Sequence, residues 1–114
     1  MTTIYHNPRC SKSRQTLQLL EEHNIQPNVR LYLQEPPSVD ELKRILNLLD
    51  MSPLELMRTK EALYKELGLN KDSSDEERLQ AMHQNPKLIE RPIVIHNDQA
   101  KLGRPPENVL ELFK

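Results

Sequence analysis

Thr2-Thr3-Ile4-Tyr5 is a short β-branched and aromatic run that gives way, through a turn holding Pro8, to a stretch whose apolar residues Leu17 and Leu20 fall at helical spacing. The only cysteine, Cys10, stands at this change of period, just before Ser11-Lys12-Ser13-Arg14. No other feature constrains the fold as much. A strand feeding directly into a helix calls for a second, parallel strand across which the helix packs, in a right-handed β-α-β unit. Cys10 then lies at the carboxyl end of the first strand, where open α/β sheets place their ligands.

The position has a chemical consequence. The first turn of a helix carries about half a positive charge and several unpaired N–H groups, which favour a thiolate and a bound oxyanion alike. A thiol of ordinary pKa, about 8.5, is only a few per cent ionised at neutral pH, and a fall of about two units makes thiolate the main form. His6, Arg9, Lys12 and Arg14 lie nearby in sequence. A small buried hydrophobe is the competing reading of a lone intracellular cysteine. The flanking charges and the strand-to-helix turn favour a working thiol.

The remaining chain extends this beginning. Val29, Leu31 and Leu33 alternate with polar residues, so Val29–Leu33 suits the second strand, joined to a helix of about residues 11–23 by Asn24-Ile25-Gln26-Pro27. Ser38-Val39-Asp40-Glu41, Ser52-Pro53-Leu54-Glu55 and Ser74-Asp75-Glu76-Glu77 are three helix-start boxes, the second with proline at the first helical position. With a further helix over Glu61–Leu67, they make a helical insertion of about residues 38–86. Pro92-Ile93-Val94-Ile95-His96 reads as a buried strand, and Asn97-Asp98 turns it into a hairpin arm at Ala100-Lys101-Leu102. A last helix bears Val109, Leu110 and Phe113. The order β-α-β, helices, β-β-α is a thioredoxin-like α/β arrangement with a mixed four-stranded sheet.

Length and charge narrow the class. The 114 residues make one domain, 1–114, able to bury a core without metal or disulfide. With 16 Lys plus Arg against 17 Asp plus Glu, the balance argues against a general nucleic-acid binder. The sequence shows neither a signal-peptide pattern nor an apolar run of membrane-spanning length, so a soluble, cytoplasmic protein without a membrane partner is expected. His6, His23, His83 and His96 share no ligand spacing with one another or with Cys10, so no metal is expected, and the last three read as surface residues.

Arg58, Arg91 and Arg104 each fall at an element boundary. Singly, each reads as a solvated charge. If the sheet folds as argued, Arg91 enters the strand next to the first and Arg104 leaves its hairpin partner near the same edge. Guanidinium groups gathered on a thiolate make a fork for a tetrahedral oxyanion.

The chain resembles the glutaredoxin-dependent arsenate reductase family, through Tyr5-His6-Asn7-Pro8-Arg9-Cys10-Ser11-Lys12-Ser13-Arg14, Leu31-Tyr32-Leu33, Pro36-Pro37, Leu67-Gly68-Leu69, Glu90-Arg91-Pro92-Ile93-Val94 and Gly103-Arg104-Pro105-Pro106. The resemblance implies that Cys10 is the nucleophile, that His6 helps hold it as thiolate, and that Arg58, Arg91 and Arg104 bind the oxyanion, with Ser11 and Ser13 also on the substrate side. It implies a cis Arg91-Pro92 bond. It also implies arsenate as substrate, glutathione as co-substrate with no bound cofactor, and glutaredoxin as partner. The best-characterised members carry Gly-Thr where this chain has Ser11-Lys12, which leaves the oxyanion open and gives Lys12 two readings, an anion contact or a solvated charge.

Two rival functions remain at this point. Cys10-Ser11-Lys12-Ser13 is a C-x-x-S sequence, as a monothiol, glutaredoxin-like oxidoreductase would have, although a disulfide substrate needs no arginine cluster. A non-enzymatic regulator that binds RNA polymerase is the other, but the C-x-x-C redox pair of such proteins is broken here by Ser13. Phosphatase-like arsenate reductases are set aside, because Thr16 stands where they need arginine and no second cysteine exists.

Overall fold

β1 (Thr2–Tyr5) is paired on both sides: parallel to β2 (Asn28–Arg30) and antiparallel to β3 (Ile93–His96), which continues antiparallel to β4 (Gln99–Leu102). The result is a mixed four-stranded sheet in the order β2-β1-β3-β4, with thioredoxin-like α/β topology. This is a computed structural model describing residues 1–114, and it divides into two compact units, Met1–Glu35 with Arg91–Lys114, and Pro36–Glu90.

In the sheet unit the two central strands carry the apolar load. Ile4, Ile93, Val94 and Ile95 are buried, as expected of strands covered on both faces. α1 (Ser11–Glu22) turns Ser13, Thr16 and Leu20 inward. Ile4, Leu20, Val94, Val109 and Leu112 form its core, with Leu17, Ile25 and Phe113 packed at the edge. α1 ends without glycine: Asn24 takes the left-handed conformation, φ 61°, and the Ile25 N–H closes on the Leu20 carbonyl at 2.9 Å. Asparagine tolerates that backbone better than most residues.

Two expectations need correcting here. The second strand stops at Arg30 instead of reaching Leu33, and Val29 and Leu33 are exposed while Tyr32 is 2% exposed. β2 is an edge strand, so its alternation follows no buried face, and residues 32–34 form a turn instead of continuing the ladder. The last helix, Pro106–Phe113, is a 3₁₀ helix, whose three-residue period sets Pro106, Val109 and Leu112 on one buried face.

The helical unit holds α2 (Val39–Leu49), α3 (Pro53–Leu56), α4 (Ala62–Glu66) and α5 (Asp75–Gln84), followed by a 3₁₀ turn at Pro86–Leu88. α5 packs against α2 and α3. Ser52 and Ser74 close full capping boxes with Glu55 and Glu77, and the Ser38 hydroxyl accepts from the Glu41 N–H at 3.0 Å. Arg78, 2% exposed, is the charged residue of this core. Its Nη1 donates to Tyr64 Oη at 2.8 Å and its Nη2 to the Asn70 carbonyl at 2.6 Å, with the guanidinium 5.9 Å from the Tyr64 ring centre.

His23 is exposed, as expected, but His83 and His96 are not simple surface residues. Both are half-buried. His83 Nδ1–H donates to the Pro37 carbonyl at 2.9 Å, a contact between residues 46 positions apart. His96 Nδ1 meets Thr2 Oγ1 at 2.8 Å and its ring packs on Phe113 at 4.4 Å. Sequence spacing carries no trace of such long-range partners. No helix is long and apolar enough to cross a membrane.

Candidate active site

Cys10 is the N-cap residue of α1, with extended backbone, φ −96° and ψ 124°. Its N–H donates to the Asn7 carbonyl at 3.0 Å and its carbonyl accepts from the Arg14 N–H at 3.0 Å, so both ends of the residue are fixed. The residue is 9% exposed. Burial pushes the thiol up. The Ser13 amide, the Arg91 guanidinium and the Lys12 amide act the other way, and the balance leaves the thiol below its ordinary value. No side-chain hydrogen bond caps this end of α1, so its first N–H groups, which no helical carbonyl satisfies, stay open where a serine hydroxyl would accept.

Ser13 is fully buried one turn into the helix. Its Oγ accepts from the Asn7 N–H at 3.0 Å and shares a hydrogen bond with His6 Nδ1 at 2.6 Å. Ser13 therefore ties the loop 6–10 to α1 by side chain while its amide faces the sulfur. His6, for which the resemblance implies a part in holding the thiolate, is buried with Ser13 as its partner, and burial first, then the Arg14 charge, lowers its pKa. Its link to the loop before α1 runs through Ser13.

Ser11 and Lys12 are exposed, and the Arg14 Nη1 donates to the Pro8 carbonyl at 2.9 Å. Of the three arginines, Arg91 reaches the thiol by charge and hydrogen bond. The Arg91-Pro92 bond is cis, as the resemblance implies, and so is Arg104-Pro105, which sequence reading did not anticipate. Arg104 Nε donates to the Arg91 carbonyl at 2.8 Å. Arg58 belongs to the helical unit, where its Nη1 meets Glu61 at 2.6 Å and its Nε lies 3.8 Å from Glu90. Its guanidinium is therefore offset by two carboxylates, a pairing no boundary position foretells.

Sequence reading missed two supporting residues. Gly103 is buried beside α1: a Cβ there would stand 2.5 Å from Thr16 Oγ1 and 2.8 Å from Pro92 Cγ. Thr16 donates to the Lys12 carbonyl at 2.8 Å. The available signal was rarity, since the chain has only two glycines and a conserved-volume role is one reason to keep one. No group of His, Cys, Asp and Glu side chains is arranged to hold a metal ion. The arrangement can hold a thiolate under an anion-binding surface of amides and a guanidinium.

The ArsC family model matches residues 5–112. The chain is 55% identical over 112 residues to a Haemophilus influenzae protein named arsenate reductase, covering 96% of this chain and 97% of that one. It is 59% identical over 111 residues to the uncharacterized protein YfgD of Escherichia coli K12, covering 96% and 93%. A solved structure named arsenate reductase, from Vibrio cholerae, matches with a TM-score of 0.93 at 55% identity, over 96% of this chain and 95% of that one. With a family match across almost its whole length and relatives this similar, the chain belongs to the ArsC family.

Proposed function

We propose that this protein is an arsenate reductase with Cys10 as its nucleophile, resolved by glutathione and glutaredoxin. The observation that carries the reading is the placement of the only cysteine at the start of α1, where the helix amides and the Arg91 guanidinium favour its thiolate. The names of the relatives, arsenate reductase among them, support arsenate as the substrate. The absence of carboxylates from the first turn of α1 suits an anion arriving at that end.

The reaction follows from these groups. The Cys10 thiolate attacks arsenic(V), an S–As bond forms, and an oxygen leaves as water after taking up a proton. Arg91 and the amides of α1 offset the charge of the arriving anion. Cys10 is the only cysteine, so an outside thiol has to supply the electrons. Glutathione condenses with the adduct to give an S–As–S species and a second water. The glutaredoxin thiolate then attacks the glutathione sulfur, and the As–S pair stays on arsenic, which falls from +5 to +3. Water cleaves the remaining Cys10–arsenic(III) bond, releasing arsenite and the thiolate. Glutathione acts as co-substrate and no cofactor stays bound.

The test is arsenate-dependent NADPH consumption by the purified protein with glutathione, glutaredoxin and glutathione reductase, run beside a known reductase. Turnover that disappears in Cys10→Ser is the expected result. An inactive wild type under conditions where the reference enzyme works would sink the reading. The monothiol alternative would instead turn over a glutathionylated peptide without arsenate, and Arg91 at the sulfur weighs against it.

A further inference from the structure

Arg104 is exposed, yet its Nε–H is committed to backbone: it donates to the Arg91 carbonyl at 2.8 Å. The residue before it does the same one step along, the Gly103 N–H donating to the Pro92 carbonyl at 2.9 Å. Two consecutive residues thus hold two consecutive carbonyls. These carbonyls belong to the backbone from which the Arg91 side chain sets out toward Cys10. The grip is tight, because Gly103 fills its place so closely that an added Cβ would fall 2.5 Å from Thr16 Oγ1 and 2.8 Å from Pro92 Cγ. Thr16 in turn bonds the Lys12 carbonyl, in the first turn of α1. Both sources of charge around the sulfur, Arg91 and the helix start, are therefore anchored at 103–104.

We propose that Arg104 is a positioning residue that acts on the Cys10 sulfur through Arg91, its Nε–H fixing the Arg91 backbone so that the Arg91 guanidinium meets the sulfur in the substrate-free protein. This differs from the direct oxyanion contact that the resemblance implies for Arg104. The role is set by direction as well as charge: a guanidinium Nε–H is fixed in the plane of its fork, whereas a lysine ammonium is a point charge on a flexible stem. The inference rests on Cys10 being the working thiol, and is independent of arsenate being its substrate.

The test is an ultraviolet titration of the thiolate in wild type, Arg104→Ala, Arg104→Lys, Arg91→Ala and the double variant Arg91→Ala/Arg104→Ala. Arg104→Ala is expected to raise the apparent thiol pKa by about one unit, roughly a tenfold fall in thiolate at a pH below it. Arg104→Lys keeps the charge and is expected to recover less than half of the shift. In the Arg91→Ala background the loss of Arg104 is expected to add nothing, the signature of action through a shared partner. A thiol unmoved by Arg104→Ala, with only the arsenate KM raised, would make Arg104 a direct ligand and overturn the proposal. Full recovery by Arg104→Lys, or an additive double variant, would overturn it as well. If Arg104→Ala does not fold, Arg104→Lys carries the same readout. The coupled arsenate assay on wild type keeps the two readings apart, since its failure removes the substrate and leaves the titration standing.

Discussion

α2, α3 and α5 begin on serine, with hydroxyls accepting from the third amide and with acids in the first turn: Asp40 and Glu41, Glu55, and Asp75 to Glu77. α1 begins on Cys10, with no acid in its first turn and with Lys12 and Arg14 instead. The first three ends are built as helix physics favours, each cap contributing about 1 kcal/mol and each acid a few tenths more. At Glu55 and Glu77 the effect is visible in the carboxyls, which the backbone amides of Ser52 and Ser74 lower. The α1 end gives up both contributions, and its open amides help to lower the thiol. α4, whose N-cap residue is Glu61, also lacks a side-chain cap and a first-turn acid, so what sets α1 apart is that its uncapped end carries the thiol, and the stability forgone there is the cost of an anion site.

The sharpest way to erase this difference is Cys10→Ser, which gives α1 the serine start of α2, α3 and α5. Arsenate turnover should fall by at least about 10³-fold, since a hydroxyl in this place is a poor nucleophile. Near pH 6 the variant should gain about 1 kcal/mol in urea unfolding from the better cap. That gain should shrink as pH rises. The native thiol is lowered, so between its folded pKa and its ordinary value the unfolded chain holds more protons than the folded one, and wild-type stability climbs with pH. An advantage for serine that is flat with pH would break the account of the thiol.

Next in size is Gly103→Ala, where the added methyl has no room between Thr16 and Pro92. A loss of about 1–3 kcal/mol is expected, with a slower reaction of Cys10 toward a small alkylating agent. Ser74→Ala probes an ordinary end for contrast. It should cost about 1 kcal/mol and leave the alkylation rate of Cys10 unchanged. The smallest effect is expected of Lys12→Glu, which gives α1 the first-turn acid that α2, α3 and α5 have. Thermal unfolding should show a gain of about 0.3–1 kcal/mol with a slower thiol, and destabilisation instead would show that Lys12 fills a structural role.

Much of this contrast was legible in the residues. Serine followed three positions later by glutamate states a helix start on its own, and both full boxes closed as written, at Ser52 and Ser74. The strand-to-helix change around Cys10 was equally local, and so was the hairpin through Asn97-Asp98, where Asn97 takes φ 55°. Long-range partners escaped. Nothing in Asp75-Glu76-Glu77-Arg78 tells that the first three are exposed and the fourth is sealed against Tyr64 and Asn70. His6 looked like a counter-charge because it is near Cys10 in sequence, whereas in the fold burial and then the Arg14 charge lower its pKa and its Nδ1 is bonded to Ser13. The arginines were found by position, but what each one touches, Glu61 and Glu90 for Arg58 or the Arg91 carbonyl for Arg104, depends on the folded backbone.

The burial of Cys10, a residue 9% exposed, bears on a hazard that every thiol protein meets. Two copies of this chain could be joined covalently only through this one residue, and a disulfide needs both sulfurs at bonding distance with their Cβ atoms about 3.5–4.5 Å apart. A sulfur recessed at a helix start is poorly placed to meet its twin at that range. The loop around Cys10 would have to yield before two such sulfurs could meet at that range, so the burial that surrounds the thiol also slows oxidative cross-linking between copies.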